Sequence, residues 1–464
     1  MCALGAVAFF HCGSDAEDPG APGGSSGGTS AEGGSGDGTT TTPPDKPLTC
    51  SSAQAVEEIQ KCIDEGRTPR ACLAESTAAG AAACDIDKDG LDDALEDAML
   101  RAYAPVFAFN KGDRGHTEGD SESSFPTNAD HYVAHSTLYW RVDGDDGTKK
   151  VALAKPTLDK LRSATFDDNG KTRHANVPAL GEGPNFWLCL NQSDGKYPTD
   201  AFVSTFDESR NLVGGIDVFA VAHYSGKTAG EHVVLEYMVF HAYNKFSLDD
   251  HEGDFEGGAV FVSLDTGKVV TLYTDRHATA DGVTLIPLEG AGALPAKDPA
   301  VEAPHYNVCA DTGTADIGGA RYWDYTTKRH HPVIYSAGGG HASYGYPGAT
   351  KIKGVGCSEA TMIRDVHNGE GPKLAIHQDA YYTDWGKTKA PVTRGVHIRN
   401  LGERKALREP WSDFVGQWGC TLSSIPKSYP GPWDNQRLCR HWLTNDWGSA
   451  PPFQATTSAS CSAD

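Results

Sequence analysis

Methionine is scarce in this sequence, at 4 of 464 residues, and no stretch approaches the roughly 18 uninterrupted apolar residues that a spanning helix needs. With a mean hydropathy of -0.44, the second absence argues against a multi-span membrane protein. Positive charge is also short: 40 Lys and Arg face 62 Asp and Glu, for a net charge of -22. A nucleic-acid binder needs a basic footprint to displace counterions from phosphates, so no nucleic-acid partner is expected. The cysteines include no CxxC pair, which speaks against zinc and redox motifs. Three catalytic signatures are missing as well. The nearest text to an HExxH zinc helix, His251-Glu252-Gly253-Asp254-Phe255, lacks the second histidine. His341 stands where a GxSxG elbow around Ser343 needs glycine, and Val221 where a P-loop ending at Thr228 needs one.

What is present begins with 53 glycines, which suits a Gly-turned, strand-rich extracellular protein. Residues 2–10 are almost wholly apolar and lead to Cys12. Of the 36 residues from Gly13 to Leu48, 25 are Gly, Ser, Thr or Pro. Such a segment cannot bury enough apolar surface to offset its ordering entropy, so 13–48 reads as a flexible linker. An apolar stretch, a cysteine and a Gly/Ser tether resemble a bacterial lipoprotein. The resemblance implies that 1–12 is a signal segment, that Cys12 is acylated, and that a membrane is a partner through this anchor. The protein is then exported, to a bacterial outer membrane or cell surface; with an ordinary secretory signal it is secreted. Ten further cysteines, scattered and even in number, fit disulfides in an oxidising compartment. Cys50, Cys62, Cys72 and Cys84 are expected to pair among themselves, in one of three connectivities.

A small helical module is expected over 49–102. Residues 51–64 carry a serine at their start and apolar positions at helical spacing. The segment from Asp85 to Glu96 then fills an EF-hand loop, with Asp85, Asp87, Asp89 and Asp93 at positions 1, 3, 5 and 9, Gly90 at 6 and Glu96 at 12. Alternating carboxylates surround one hard cation, Gly90 permits the sharp turn, Leu91 offers its carbonyl, and Glu96 closes the shell. The alternative is a solvated acidic surface, but seven acids from Asp85 to Asp97 against one lysine would repel without a cation. With a single loop and no Met-rich groove, a structural calcium is the better reading. The following helix, about Leu91 to Tyr103, ends at Pro105.

From 103 to 464 the pattern changes period. Ile216–Ala222, Val233–Phe240, Ala259–Leu264, Val269–Tyr273 and Val333–Ser336 are short, β-branched or aromatic, and bounded by Gly or Asp. Asp265-Thr266-Gly267 reads as a hairpin loop. The expected fold is mainly β, a β-sandwich with long loops and peripheral helices, preceded by the disulfide-linked EF-hand-like module.

Chemistry-bearing residues gather beside these strands. If 254–256 is extended, Asp254 and Glu256 share one face and Phe255 enters the core, while Gly253 lets His251 bend round. Asp275 and His277 share a face at a strand end. Gly338 to Gly340 precede His341, Ser343 and Tyr344, and allow close backbone approach. Imidazoles and carboxylates together suit zinc, manganese or iron, or act as general acid and base without metal. Against this, a histidine in a β protein is usually a hydrogen-bonded structural residue, and Trp385, Trp411 and Trp418 either stack on sugars or fill core.

Four blocks in order, spanning about 103 to 419, carry a family likeness. Tyr103-Ala-Pro-Val-Phe107 with Ser124-Phe125-Pro126, His251-Glu-Gly-Asp254-Phe-Glu256, His331-Pro-Val-Ile-Tyr-Ser336 with Gly340-His341-Ala-Ser-Tyr344, and Trp411 to Gly419 resemble the vacuolar protein sorting protein sixty-two family. Phe255 replaces the usual tryptophan, and 281–320 is one of the long insertions. That family brings no established activity. The central block is more loosely similar to the GHRHDWE motif of necrosis-inducing plant-pathogen toxins, secreted β-sandwiches whose motif lines a cation-holding cavity engaging glycosylated sphingolipids. The likeness implies that His251, Asp254 and Glu256 hold a second divalent metal, with Gly253 replacing one histidine.

Three functions compete at this level. The first is a secreted or lipid-anchored surface protein binding a glycan or lipid headgroup at a metal-centred cavity, with His277, Ser343 and Tyr344 as contacts. The second is a metal-dependent secreted hydrolase, with Glu256 and His341 as catalytic groups. The third is a purely structural surface protein stapled by calcium and disulfides.

Overall fold

The computed structural model describes residues 52–76, 84–86, 90–110, 125–141, 149–175, 185–190, 215–224, 232–244, 251–275, 283–287, 309–311, 321–324, 329–345, 348–353, 362–382, 395–401, 414, 416–420 and 429–430. They belong to one compact unit, Pro47–Asp464. The protein is mainly β, with several sheets and a helical N-terminal part. Among the described residues, no helix is long and apolar enough to cross a membrane.

Helix α1 (Ala53–Asp64) starts where Ser52 accepts a hydrogen bond from the Ala55 amide, and buries Ala55, Ile59 and Ile63, a four-residue spacing that puts them on one face. Helix α2 (Pro69–Glu75) is capped by Thr68 and begins with proline, whose missing N–H costs nothing there. Helix α3 (Asp93–Ala102) is capped by Asp92, slightly inside the expected span. The Cys62–Cys72 disulfide joins α1 to α2, in keeping with pairing inside the first four cysteines. Cys84 is also disulfide-bonded.

The central sheet has six strands, in the order Val283–Pro287, Val269–Asp275, His251–Ser263, His232–Asn244, Ile216–His223, Val396–Asn400. All neighbours are antiparallel except the last pair. At its middle lies a long hairpin of two 13-residue strands, His232–Asn244 and His251–Ser263. Its side chains separate cleanly with period 2. Val233, Leu235, Tyr237, Val239, Val260 and Val262 enter a core shared with α1, α3 and a second sheet, supplied there by Phe107, Ile334 and Leu374. Met238, Phe240, Ala242 and Phe255 enter another core with Tyr132, Phe186, Leu188 and Trp418. Because both faces are covered, Val233 to Phe240 reads as a nearly unbroken apolar run rather than an alternating one. The Tyr237 hydroxyl donates to the Leu100 carbonyl at 3.0 Å and ties the sheet to α3.

The second sheet holds Val106–Ala108 between Arg329–Ser336, parallel, and Lys373–Ala375, antiparallel. Ser343–Tyr344 folds back on the end of Arg329–Ser336, so Ser343 lies opposite Ser336 and Tyr344 opposite Tyr335. A third sheet contains Phe186–Leu190 with Ser136–Arg141 and Gln417–Trp418. Trp418 is fully buried against Phe240, Phe255 and Tyr132, so it fills core.

Helix α4 (Ala129–Ala134) packs on this third sheet and carries a titration signal. Burial, together with the neighbouring His135, pulls the His131 imidazole down to about 4. In the unfolded chain it returns to about 6.5. The unfolded state therefore binds the extra proton between these values, and stability is lost as pH falls through that window. We expect the denaturant midpoint to drop between pH 7 and pH 5, with a shallower drop in His131→Gln. Equal slopes in both proteins would exclude His131 as a source.

Candidate functional site

Asp254 lies directly opposite His241 in the central hairpin, and both side chains are buried. An unbroken strand would send Glu252 to the same face as Asp254. Gly253 prevents this: its φ of +67° lies in the left-handed region that glycine adopts without cost. Glu252 turns to the third sheet, where its Oε2 accepts from the amides of Leu190 (2.9 Å) and Cys420 (3.1 Å). Asp254 turns the other way. Its Oδ2 accepts from Asn244 Nδ2 at 3.1 Å and sits 3.0 Å from His341 Nδ1. Glycine is also required by contact. A Cβ on Gly253 would overlap the Trp418 carbonyl, and a Cβ on Gly419 would overlap the Glu252 carbonyl. Residues 418–420 therefore cross the kink backbone to backbone.

His341 is brought in from the second sheet. The loop closes through Ala337 N to Ala342 O (2.9 Å) and His341 N to Ala337 O (3.0 Å), and the Ser336 hydroxyl donates to the His341 carbonyl. Gly339 and His341 both have positive φ, +72° and +54°. A left-handed histidine costs on the order of 1 kcal/mol or more, so the fold holds this residue against its backbone preference. Its ring stacks on His241, with centroids 3.7 Å apart. An ionised carboxylate only accepts hydrogen bonds, so with Asp254 ionised the contact calls for a proton on His341 Nδ1; in a neutral imidazole the lone pair is then on Nε2. Asn244 Nδ2 also approaches the Gly340 carbonyl. Asn244 Oδ1 and the Ser343 hydroxyl are buried without a hydrogen-bond partner among the described residues.

The structure thus brings together Asp254 and His341, with Glu256 buried two residues along the same strand face. Phe255 points into the opposite core, as expected. Ser343 is buried beside its strand partner, and Tyr344 is buried with its ring stacked 3.7 Å from His367. His251 lies in the hairpin strand, but its side chain falls outside the described residues, as do His277 and Cys12. Sequence reasoning missed His241 and Asn244. Aligning the two runs as a hairpin would have found them, because His241 then falls opposite Asp254 and Asn244 opposite His251. From the sequence the strand at Val333–Ser336 starts after His331. In the structure His331 lies within the strand, buried, with Nδ1 2.8 Å from the Ala104 carbonyl and its ring stacked on His377.

In the acidic loop, Gly90 has φ +98° and its amide donates to Asp85 Oδ2 at 3.1 Å. Asp93 and Glu96 are buried, and Asp93 Oδ1 accepts from the Ile86 amide. Asp85 Oδ1 is buried without a partner among the described residues, and the side chain of Leu91 is core. Asp87 and Asp89 lie outside the described residues.

Together these features define a mainly β protein with a buried imidazole–carboxylate cluster between two sheets. No protein-family model, curated protein or solved structure matches the chain.

Proposed function

We propose that the protein is an exported surface protein in which His341, oriented by Asp254, takes part in holding a divalent cation that binds an oxygen-rich ligand, a glycan or a lipid headgroup. The observation that carries this reading is the Asp254–His341 pair: a buried carboxylate against Nδ1 is the arrangement that orients metal-ligating histidines. Imidazole nitrogen beside carboxylate oxygen fits zinc or manganese. The buried Asn244 Oδ1 and Ser343 hydroxyl add oxygen donors in the same two segments. Such a cation would polarise a ligand oxygen. In this reading the stacked sheets are a β-sandwich of the vacuolar protein sorting protein sixty-two type. The loop from Asp85 to Glu96 binds a structural calcium, and Cys12 carries the lipid anchor.

Metal content tests it. The full chain, produced in an oxidising compartment, is expected to contain a transition metal that Asp254→Asn removes and calcium that Asp85→Ala removes. If calcium is the sole metal and Asp254→Asn leaves the content unchanged, the cluster is a structural network and the cation reading fails. The same pair also favours a second reading, a hydrolase in which His341 and Glu256 move protons. Turnover of an ester or glycoside panel that survives Glu256→Gln would remove that role.

A further inference from the structure

On the far side of the Gly253 kink, the same strand builds a second group. Cys189, Glu252 and Cys420 are all buried, and their ligand atoms lie within 4.8 Å of one another. Among the described residues they are the only three His, Cys, Asp or Glu side chains that converge this closely. Here Cys189 and Cys420 form a disulfide across 231 residues. A cation stands beside the sulfurs, against the like charge of Glu252. Lys149 Nζ lies 3.2 Å from Cys420 Sγ, and the amides of Leu190 and Cys420 hold the Glu252 carboxylate in place. A nearby ammonium favours thiolate over thiol.

We propose that this corner is a redox-gated site for a thiophilic divalent cation. In the oxidised protein it is a disulfide and cannot ligate. The S–S bond breaks to two thiols when a dithiol supplies two electrons and its two protons and closes to its own disulfide, or when a phosphine supplies two electrons and takes the oxygen of one water, whose two protons go to the sulfurs. Zinc then displaces those two protons, and two thiolates with the Glu252 carboxylate form its protein ligands, a donor set zinc accepts. The site is separate from Asp254 and His341: it faces the third sheet, contains sulfur, and does not depend on the reading above.

Cobalt(II) is the probe, because thiolate ligation gives a near-ultraviolet charge-transfer band that nitrogen and oxygen ligands do not. We expect the reduced full-length protein to bind one equivalent of cobalt with this band, displaced by zinc. The oxidised protein should show none. Cys189→Ser and Cys420→Ser should each abolish the band, Cys62→Ser should retain it, and Glu252→Gln should weaken cobalt binding at least tenfold. Folding is followed in parallel by near-ultraviolet circular dichroism. Absence of the band in folded, reduced protein overturns the proposal. So does a band that survives Cys420→Ser, or unfolding on reduction that cobalt does not reverse, which would make the pair a staple alone.

Discussion

Gly419→Ala is expected to cost roughly 3–5 kcal/mol, the sum of backbone strain and overpacking at one position. Gly419 has φ +114°, and the added methyl would occupy the place of the Glu252 carbonyl oxygen. Neither atom can yield cheaply. The Glu252 amide already donates to the Cys420 carbonyl, and the Gly419 amide donates to Leu188, so both chains are fixed by ladder bonds. A loss of this size is a large part of a typical domain stability. Gly66→Ala is the control, since Gly66 has φ +89° with nothing within 4 Å of its added methyl. It should cost only the strain, roughly 1–2 kcal/mol. Urea denaturation of the two variants separates the effects, and equal midpoints would show that the crossing of residues 418–420 over the kink is not tight.

Asp254→Ala should be comparably severe, about 2–6 kcal/mol, the cost of leaving two buried donors without their acceptor. It would strip the acceptor from His341 Nδ1 and Asn244 Nδ2 together, in a place water does not reach. Asp254→Asn keeps one acceptor oxygen in nearly the same shape, so its stability loss should be nearer 1–2 kcal/mol. Both variants should lose bound transition metal. This split separates a ligand from a brick: a purely structural carboxylate would show the stability ranking and no change in metal content. Nitrogen-15 shifts of the His341 ring give an independent check, because the Nδ1–H tautomer should be populated only while Asp254 is present.

Much of the strand content was legible because β-branched and aromatic runs end at Gly or Asp, as at Val233–Phe240 and Ala259–Leu264. A serine at its start did the same for α1, while α3 was legible from the acidic loop before it and Pro105 after it. The opposed directions of Asp254 and Phe255 followed from period 2 alone. A bend at Gly253 was expected too, but not that it turns Glu252 to the third sheet, which only the contact with Trp418 and Gly419 reveals. His241 was hidden for another reason: it sits inside an apolar run, and its meaning comes from a partner 13 positions away across a hairpin. The pairing of Cys189 with Cys420 is a long-range fact that no local spacing encodes.

The crossing at residues 418–420 also bears on the order of assembly. The hairpin strands lie close in sequence, and their pairing closes a short loop. The kink that aims Asp254 is held from the other side by a segment made more than 160 residues later. On a growing chain the hairpin can therefore form early while its bend stays unsupported, and the Asp254–His341 contact gains its final backing only once the chain has passed Cys420. Long-range closures of this kind are slow. A chain stopped short of residue 416 would carry every residue of the central cluster and still lack the piece that sets its aim.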